Sequence, residues 1–155
     1  MIKKEIKRIL FVCTGNSCRS IMAEAYMKKR LQEEDISIEV ASAGTLGMNG
    51  AVPTRETLKV LTNEKIDPKG YKSKGLTANF IKWADLILVM EPSHRARVLT
   101  DVPEAGDKVY YLGEFNKEQG DIVIPDPIGR PLAFYRVSFR LIKHSIEGLI
   151  EWLKK

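Results

Sequence analysis

A chain of 155 residues is the size of one domain and is long enough to bury roughly 68–70% of the surface that its unfolded form exposes. Hydrophobic residues make up 44% and charged residues 29%, as in ordinary soluble proteins, and no apolar run is long enough to span a membrane. The N-terminus lacks the apolar core and cleavage site of a secretion signal. These features predict a single cytoplasmic domain over residues 1–155 without membrane association.

The net charge of +5 raises the question of nucleic-acid binding. The basic residues are spread along the chain, with local density only at residues 3–8, residues 65–74 and the C-terminus. No basic stripe interleaves with aromatic residues, which argues against a nucleic-acid partner. A mild positive field would instead attract an anionic, phosphorylated substrate.

The first predicted element is a strand over residues 7–12, apolar for most of its length, as a parallel strand covered on both faces should be. It leads into the loop C-T-G-N-S-C-R-S, and a helix is predicted over residues 20–34. Gly15 and Asn16 are residue types that tolerate the positive φ of a tight loop. The pattern is therefore strand, loop and helix.

The loop has the composition of an anion cradle with a nucleophile at its base. Amide N–H groups curled at the N-terminus of a helix point inward and hold a tetrahedral oxyanion. These groups and Arg19 would favour the thiolate form of Cys13, which would then attack phosphorus. Arg19 would grip two phosphoryl oxygens, and Ser20 would donate to the thiolate. The alternative interpretation is that Cys13 is a buried structural residue followed by an ordinary turn. A nucleotide-binding loop is not indicated, because its motif needs a lysine that is absent here.

Both cysteines of the chain, Cys13 and Cys18, lie in this loop. A disulfide between them would close a tiny ring and stabilise the fold little. The two cysteines are therefore predicted to be a reduced, reactive pair.

The rest of the chain alternates between strand-like and helix-like segments. Further strands are predicted over residues 36–43, 85–90 and 108–112. Further helices are predicted over residues 53–65, 77–83, 91–100 and 132–155. The loop at residues 45–53 is expected to border the site. An apolar stripe on the last helix is predicted to face the core, and it consists of Ile142, Ile146, Leu149, Ile150 and Leu153.

Strands that alternate with helices form right-handed crossovers and a parallel sheet. The predicted fold is therefore α/β, a single domain with a four-stranded parallel, Rossmann-like sheet, helices on both faces and the phosphate-binding loop after strand 1. A ligand is expected beyond the carboxyl ends of the strands, where the loop begins.

Residues 120–131 contain three of the seven prolines and predict a second functional loop. A thiolate mechanism needs an acid for the leaving group and then a base for the hydrolytic water, and one carboxyl can serve as both. Asp126 is the candidate, because its flanking residues Pro125 and Pro127 would hold it rigidly in a loop able to fold over the site.

The segment V-C-T-G-N-S-C-R-S, followed by M-A-E-A, resembles the signature of the low-molecular-weight protein tyrosine phosphatases. That superfamily also contains bacterial protein-arginine phosphatases and thioredoxin-coupled arsenate reductases. The resemblance extends to Asp126-Pro127 and to the order of elements, so it covers nearly the whole chain.

The resemblance implies a hydrolase that acts on phosphorylated proteins or peptides through a phosphocysteine intermediate, without a cofactor, as a monomer or weak dimer. Its catalytic residues would be Cys13, Arg19 and Asp126. The remaining residues of the phosphate-binding loop would be Thr14, Gly15, Asn16, Ser17, Cys18 and Ser20. Metal catalysis is not expected, because no cluster of His, Cys and carboxylate residues has the spacing of metal ligands.

Several positions depart from the family pattern. Ile21 replaces a common proline, and Tyr71 stands where many members have a histidine that buttresses the loop, so that role is not carried over. Ile128, the predicted substrate rim, and Gly129 stand where eukaryotic tyrosine-specific members have aromatics. Ser17 stands where the tyrosine-specific branch has a bulky aliphatic residue and arginine-specific members have a threonine.

The resemblance predicts a phosphotyrosine phosphatase, and the residues at positions 17 and 128 leave phosphoarginine open as the alternative substrate. Arsenate reduction would need two further cysteines, and the chain has none outside the loop. A non-catalytic phosphopeptide-binding module would have little reason to keep both Cys13 and Asp126. The two histidines, His94 and His144, are expected to be surface residues of helices.

Overall fold

The structure, a computed structural model, describes residues 5–118 and 122–155 and is built around a parallel sheet. Within these residues the strands are β1 (Arg8–Cys13), β2 (Glu39–Gly44), β3 (Leu86–Val89) and β4 (Val109–Tyr111). All neighbours are parallel, in the order β2-β1-β3-β4. The prediction of a four-stranded parallel sheet is confirmed.

The helices cover both faces of the sheet, as predicted. They are α1 (Arg19–Glu33), α2 (Arg55–Asn63), α3 (Ala78–Trp83), α4 (Pro92–Asp101) and α5 (Leu132–Lys154). Successive side chains of β1 point to opposite faces. Ile9 and Phe11 therefore join one apolar core with α1 and α5, whereas Leu10 and Val12 join a second core with α3 and α4. No helix within residues 5–118 and 122–155 combines the length and apolarity needed to cross a membrane.

Element ends differ from the sequence prediction where side chains cap the backbone. The second helix was predicted to begin at Pro53 and Thr54, but it begins at Arg55. Thr54 is the N-cap, because its side chain accepts the amide of Thr57 at 3.2 Å. The fourth strand ends at Tyr111 because residues 112–115 turn into a 3₁₀ helix.

The register places the loop that follows β1 at the carboxyl edge of the sheet. Cys13, the last residue of β1, pairs with Gly44 of β2, and Val12 pairs with Val89 of β3. The ends of three neighbouring strands therefore meet beside Cys13. This is the edge at which a ligand was expected from the topology.

The apolar stripe of α5 is buried, as predicted from its spacing, except that Leu153 is only partly buried. Gly148 lies on the same helix and packs directly against the 3₁₀ helix Leu112–Phe115. A Cβ atom at residue 148 would overlap the carbonyl oxygen of Phe115. Glycine is therefore required here by close packing and not by backbone conformation.

Gly148→Ala is expected to lower the free energy of unfolding by about 1–3 kcal/mol, because overpacking outweighs the roughly 1 kcal/mol by which alanine favours a helix over glycine. Chemical denaturation measures the change. Gly106→Ala is the control, since a Cβ there would meet only Leu99 Cδ2, at 3.6 Å. Equal stability of the two variants would contradict the packing argument.

Candidate active site

The loop between β1 and α1 is shaped by a close approach to the end of β2. Asn16 has a φ of 52° and is buried, whereas Gly15 does not use the positive φ that its residue type permits. A Cβ on Gly44 would lie 2.7 Å from the carbonyl oxygen of Thr14. Glycine at residue 44 therefore lets the loop curl tightly over the strand ends.

Cys13 lies at the base of this loop with its sulfur among hydrogen-bond donors. Ser20 Oγ is 2.9 Å from Cys13 Sγ, and the backbone amide of Asn16 donates to the sulfur at 3.3 Å. The Asn16 side-chain amide donates to Ser20 Oγ at 2.7 Å. Because Ser20 Oγ accepts that bond, the Ser20 hydroxyl hydrogen can be directed at the sulfur. Two hydrogen-bond donors are thus aimed at the Cys13 sulfur.

A buried chain of hydrogen bonds continues from the loop to the surface of α1. Asn16 Nδ2 also donates to Ser42 Oγ at 3.0 Å, and Ser42 donates to the buried carboxylate of Glu24 at 2.6 Å. Lys28 pairs with that carboxylate at 2.6 Å, and its Nζ atom lies 5.5 Å from the ring centre of Tyr71. Burial and the charge of Glu24 raise the pKa of Tyr71 to about 12. The buried carboxylate of Glu24 is thus paired with Lys28, a cation on the same helix, α1.

Arg19 is buried, with 1% of its surface exposed, yet its guanidinium reaches the site. Nη1 donates to Glu91 Oε2 and to the carbonyl oxygen of Ile124, both at 2.9 Å. Nη2 donates to Thr14 Oγ1 at 3.4 Å and lies 3.5 Å from Asp126 Oδ2. These contacts fix the plane of the guanidinium before any ligand arrives.

Glu91 was not recognised from the sequence. Burial raises the pKa of this carboxyl, but the hydrogen bond and the charge of Arg19 outweigh burial and hold the pKa below its usual value. Glu91 follows β3 after one intervening residue, Met90, and immediately precedes α4. Its position after a buried strand was the available signal, although only the sheet order places that strand beside β1.

Asp126 is exposed, and backbone hydrogen bonds hold its segment beside the loop. Its Oδ1 accepts the amide of Ile128 at 3.1 Å. On either side, the Ile124 amide donates to the Met90 carbonyl at 3.0 Å, and Ser138 donates to the carbonyl of Pro125 at 2.8 Å. The loop is thus tied to both the sheet and α5. The structure brings Asp126, Arg19 and Cys13 together around one cavity.

A cavity of ≈ 110 Å³ opens above the sulfur. It is lined by Cys13, Thr14, Gly15, Ser17, Cys18, Arg19, Leu46, Asp126 and Ile128. Leu46 and Ile128 form an exposed apolar rim, 63% and 52% exposed. Ile128 was predicted at this rim, whereas Leu46 was predicted only as part of a bordering loop. A larger groove of ≈ 440 Å³ beside the end of α1 is lined by neither cysteine.

The expectation that His94 is a surface residue is wrong. The side chain is only 1% exposed and lies in the first turn of α4. The amide of Met90 donates to Nδ1 at 3.3 Å, and Nε2 is 2.9 Å from Thr14 Oγ1. Burial, assisted by the charge of Arg19, lowers the pKa of His94 to about 4. His144 is partly exposed and lies 2.8 Å from Glu118.

The buried imidazole predicts a pH dependence of stability. The pKa of His94 falls from 6.5 to about 4 on folding, so the unfolded chain binds this proton more readily. Stability from this group is complete above pH 6.5 and is lost as the pH falls towards 4, by up to about 3 kcal/mol. Denaturation curves of the wild type and His94→Gln between pH 4 and 7 measure it. An identical pH slope in both proteins would contradict the burial argument.

Comparison with known proteins agrees with this geometry. The profile of the low molecular weight phosphotyrosine protein phosphatases matches residues 8–155. A protein-arginine-phosphatase of Geobacillus stearothermophilus is 35% identical over 148 residues, covering 95% of this chain and 96% of that protein. The low molecular weight protein-tyrosine-phosphatase PtpB of Staphylococcus haemolyticus is 34% identical over 142 residues, covering 92% and 96%.

Solved structures show the same similarity. The crystal structure of a low molecular weight protein tyrosine phosphatase from T. tengcongensis superposes with a TM-score of 0.86 at 36% identity, covering 94% of this chain and 98% of that chain. In each of these comparisons the similarity extends over nearly the whole chain. The chain therefore belongs to the low molecular weight phosphotyrosine protein phosphatase family.

Proposed function

We propose that residues 1–155 form one cytoplasmic phosphatase domain that hydrolyses phosphotyrosine in proteins or peptides through a phosphocysteine at Cys13. The observation that carries the proposal is the shared cavity, which brings together the Cys13 sulfur, the Arg19 guanidinium and the Asp126 carboxyl at the N-terminus of α1. A thiolate, an oxyanion cradle and a proton donor are the parts that the reaction needs.

In the first step the Cys13 thiolate attacks phosphorus, and the bond from phosphorus to the substrate oxygen breaks. Asp126 gives its proton to the departing oxygen, so that a neutral phenol leaves. Both Nη1 hydrogens of Arg19 are engaged by Glu91 and the Ile124 carbonyl. The edge formed by Nε and Nη2 therefore faces the phosphoryl oxygens and stabilises their growing charge.

In the second step a water molecule attacks the phosphocysteine. Asp126, now a carboxylate, takes a proton from that water while the phosphorus–sulfur bond breaks. Inorganic phosphate leaves and the thiolate is restored. The Ser20 hydroxyl, 2.9 Å from the sulfur, donates to it as its negative charge returns.

Turnover of p-nitrophenyl phosphate with and without a metal chelator tests the mechanism. We expect equal rates in both conditions, because protein side chains supply the nucleophile, the acid and the oxyanion contacts. Burst-phase release of p-nitrophenol would report the covalent intermediate. Absence of turnover would overturn the proposal and favour a phosphopeptide-binding module.

A protein-arginine phosphatase with the same mechanism is the second candidate, and Ser17 is the observation that favours it. Ser17 lines the cavity, and its hydroxyl makes a weak 3.7 Å contact with Cys18 Sγ. A hydroxyl there can accept a guanidinium N–H and leaves less apolar wall for a phenyl ring. The rim at Leu46 and Ile128 is aliphatic, which offers no ring-stacking preference for tyrosine. Phosphotyrosine and phosphoarginine peptides of one sequence, assayed side by side, discriminate the two functions.

Ser17→Ile is expected to shift the ratio of kcat/KM values towards phosphotyrosine by roughly tenfold, because added apolar wall favours the ring and the lost hydroxyl disfavours a guanidinium. Ser17→Thr is the matched control. It adds a methyl group but keeps the hydroxyl, so it should not shift the ratio towards phosphotyrosine. An unchanged ratio in Ser17→Ile would show that residue 17 is not the selector.

A further inference from the structure

The side chain of Thr14 lies between the buried guanidinium and the buried imidazole. Thr14 is the residue after Cys13, and its Oγ1 atom is 2.9 Å from His94 Nε2 and 3.4 Å from Arg19 Nη2. The hydroxyl thus connects His94 to the residue proposed to grip the phosphoryl group. Neither contact was foreseen from the sequence.

The hydrogen bonds define which nitrogen of His94 carries the proton. The Met90 amide can only donate, so Nδ1 of His94 must accept its bond. In the neutral ring Nε2 then carries the hydrogen and donates to Thr14 Oγ1. A guanidinium also only donates, so Oγ1 accepts from both neighbours. Burial and the nearby Arg19 charge keep the imidazole neutral.

A single helical turn therefore contacts Arg19 in two ways. Glu91, just before α4, binds Nη1 directly with a full negative charge. His94, one turn later, reaches Nη2 through Thr14, a neutral acceptor. The turn is closed by the His94 amide, which donates to the Glu91 carbonyl at 3.1 Å. A neutral acceptor can fix the direction of Nη2 without competing with phosphate for the charge of the guanidinium.

We propose that His94 is a positioning residue for phosphoryl transfer. Its Nε2–H group fixes the Thr14 hydroxyl, and this hydroxyl holds the Nη2 edge of Arg19 in the direction of the phosphoryl oxygens. The inference rests on the proposed function for its consequence in turnover. The hydrogen-bond arrangement itself can be tested without turnover.

A double-mutant cycle tests whether His94 acts through Thr14. Thr14→Val and His94→Leu each remove one side of the bond and keep the approximate shape. We expect each variant to lose about tenfold in kcat/KM for p-nitrophenyl phosphate and about tenfold in affinity for inorganic phosphate. The double variant should lose about tenfold as well. A hundredfold loss, meaning independent effects, or wild-type values in His94→Leu would overturn the proposal.

Two further variants separate positioning from packing. His94→Gln places an N–H donor near the position of Nε2, so it should recover most of the activity that His94→Leu loses. His144→Leu is the matched control, since the second histidine of the chain lies partly exposed on α5, paired with Glu118. It should keep wild-type kcat/KM. Equal losses in His94→Gln and His94→Leu would mean that filling the space, and not donating to Thr14, is what matters.

Nuclear magnetic resonance of the histidine nitrogens gives a readout independent of turnover. The chain has two histidines, so the signals of His94 can be assigned with His144→Leu. The wild type should show the Nε2–H tautomer of His94, and Thr14→Val should change the Nε2 shift and speed exchange of its hydrogen. An Nδ1–H tautomer, or no change in Thr14→Val, would overturn the proposal even if His94→Leu did not fold. If the wild type turned over no phosphate ester, the proposed function would fail, while the tautomer and phosphate affinity would still test His94.

Discussion

Cys13→Ser is expected to abolish turnover while leaving the protein able to bind phosphate. A serine hydroxyl is a far weaker nucleophile than a thiolate, and loss of a covalent nucleophile lowers kcat on the order of 10⁴–10⁶-fold. The serine oxygen can still accept the Asn16 amide, as the sulfur does, and Arg19 is fixed by Glu91 and the Ile124 carbonyl. Phosphate affinity should therefore stay within a few-fold of the wild type.

Steady-state kinetics measures the turnover of Cys13→Ser, and calorimetric titration with inorganic phosphate measures its phosphate affinity. Cys18→Ser is the matched control, because the Cys18 sulfur contacts the Tyr135 hydroxyl at 3.6 Å and Thr54 Oγ1 at 3.7 Å rather than the Ser20 hydroxyl that serves Cys13. Cys18→Ser should lose far less turnover than Cys13→Ser. Substantial turnover in Cys13→Ser would exclude the phosphocysteine mechanism.

Asp126→Asn is expected to lower kcat by roughly 10²–10⁴-fold with aryl phosphates that have poor leaving groups, and by much less with activated ones. An acid helps only as much as the leaving oxygen needs its proton. The change is small in shape, since the oxygen of the substituted side-chain amide can still accept the Ile128 amide, as Oδ1 does in the wild type. A series of aryl phosphates that spans leaving-group pKa measures the effect.

The phosphate affinity of Asp126→Asn gives a second test, because this affinity should not fall with the turnover. In its ionised form the Asp126 side chain, 3.5 Å from Arg19 Nη2, competes with phosphate for the guanidinium. Removing its charge should leave phosphate affinity equal or higher while turnover falls. A uniform loss of kcat across all leaving groups, together with weaker phosphate binding, would show that Asp126 is structural and not the proton donor.

The sequence was sufficient for the parts of the site that lie close together in the chain. Cys13, Arg19 and the helix that follows lie within one short segment, and the β1 register then places that segment at the sheet edge. The alternation of strands and helices was likewise enough for the sheet and for helices on both faces. Asp126 was selected as the candidate acid because prolines flank it and because the family pattern has an Asp-Pro pair there.

Residues that depend on the order of strands were missed. Glu91 and His94 follow β3, and only the sheet order β2-β1-β3-β4 brings that strand beside β1 and its loop. The sequence carries no signal for the burial of His94, which follows from how the first turn of α4 packs on Thr14. Lys28 was missed for a similar reason, because its partner Glu24 accepts a hydrogen bond from Ser42 of β2, a contact that depends on the fold.

The small volume above Cys13 has a consequence for inhibitor design. A cavity of ≈ 110 Å³ lies well below the roughly 300–1,000 Å³ of pockets that enclose drug-sized ligands. An inhibitor that relies on this cavity must be an anion, and it would be drawn to every protein with the same loop. Leu46 and Ile128 line the cavity at its exposed rim, so selective compounds would gain their selectivity there, by extending apolar groups across the rim.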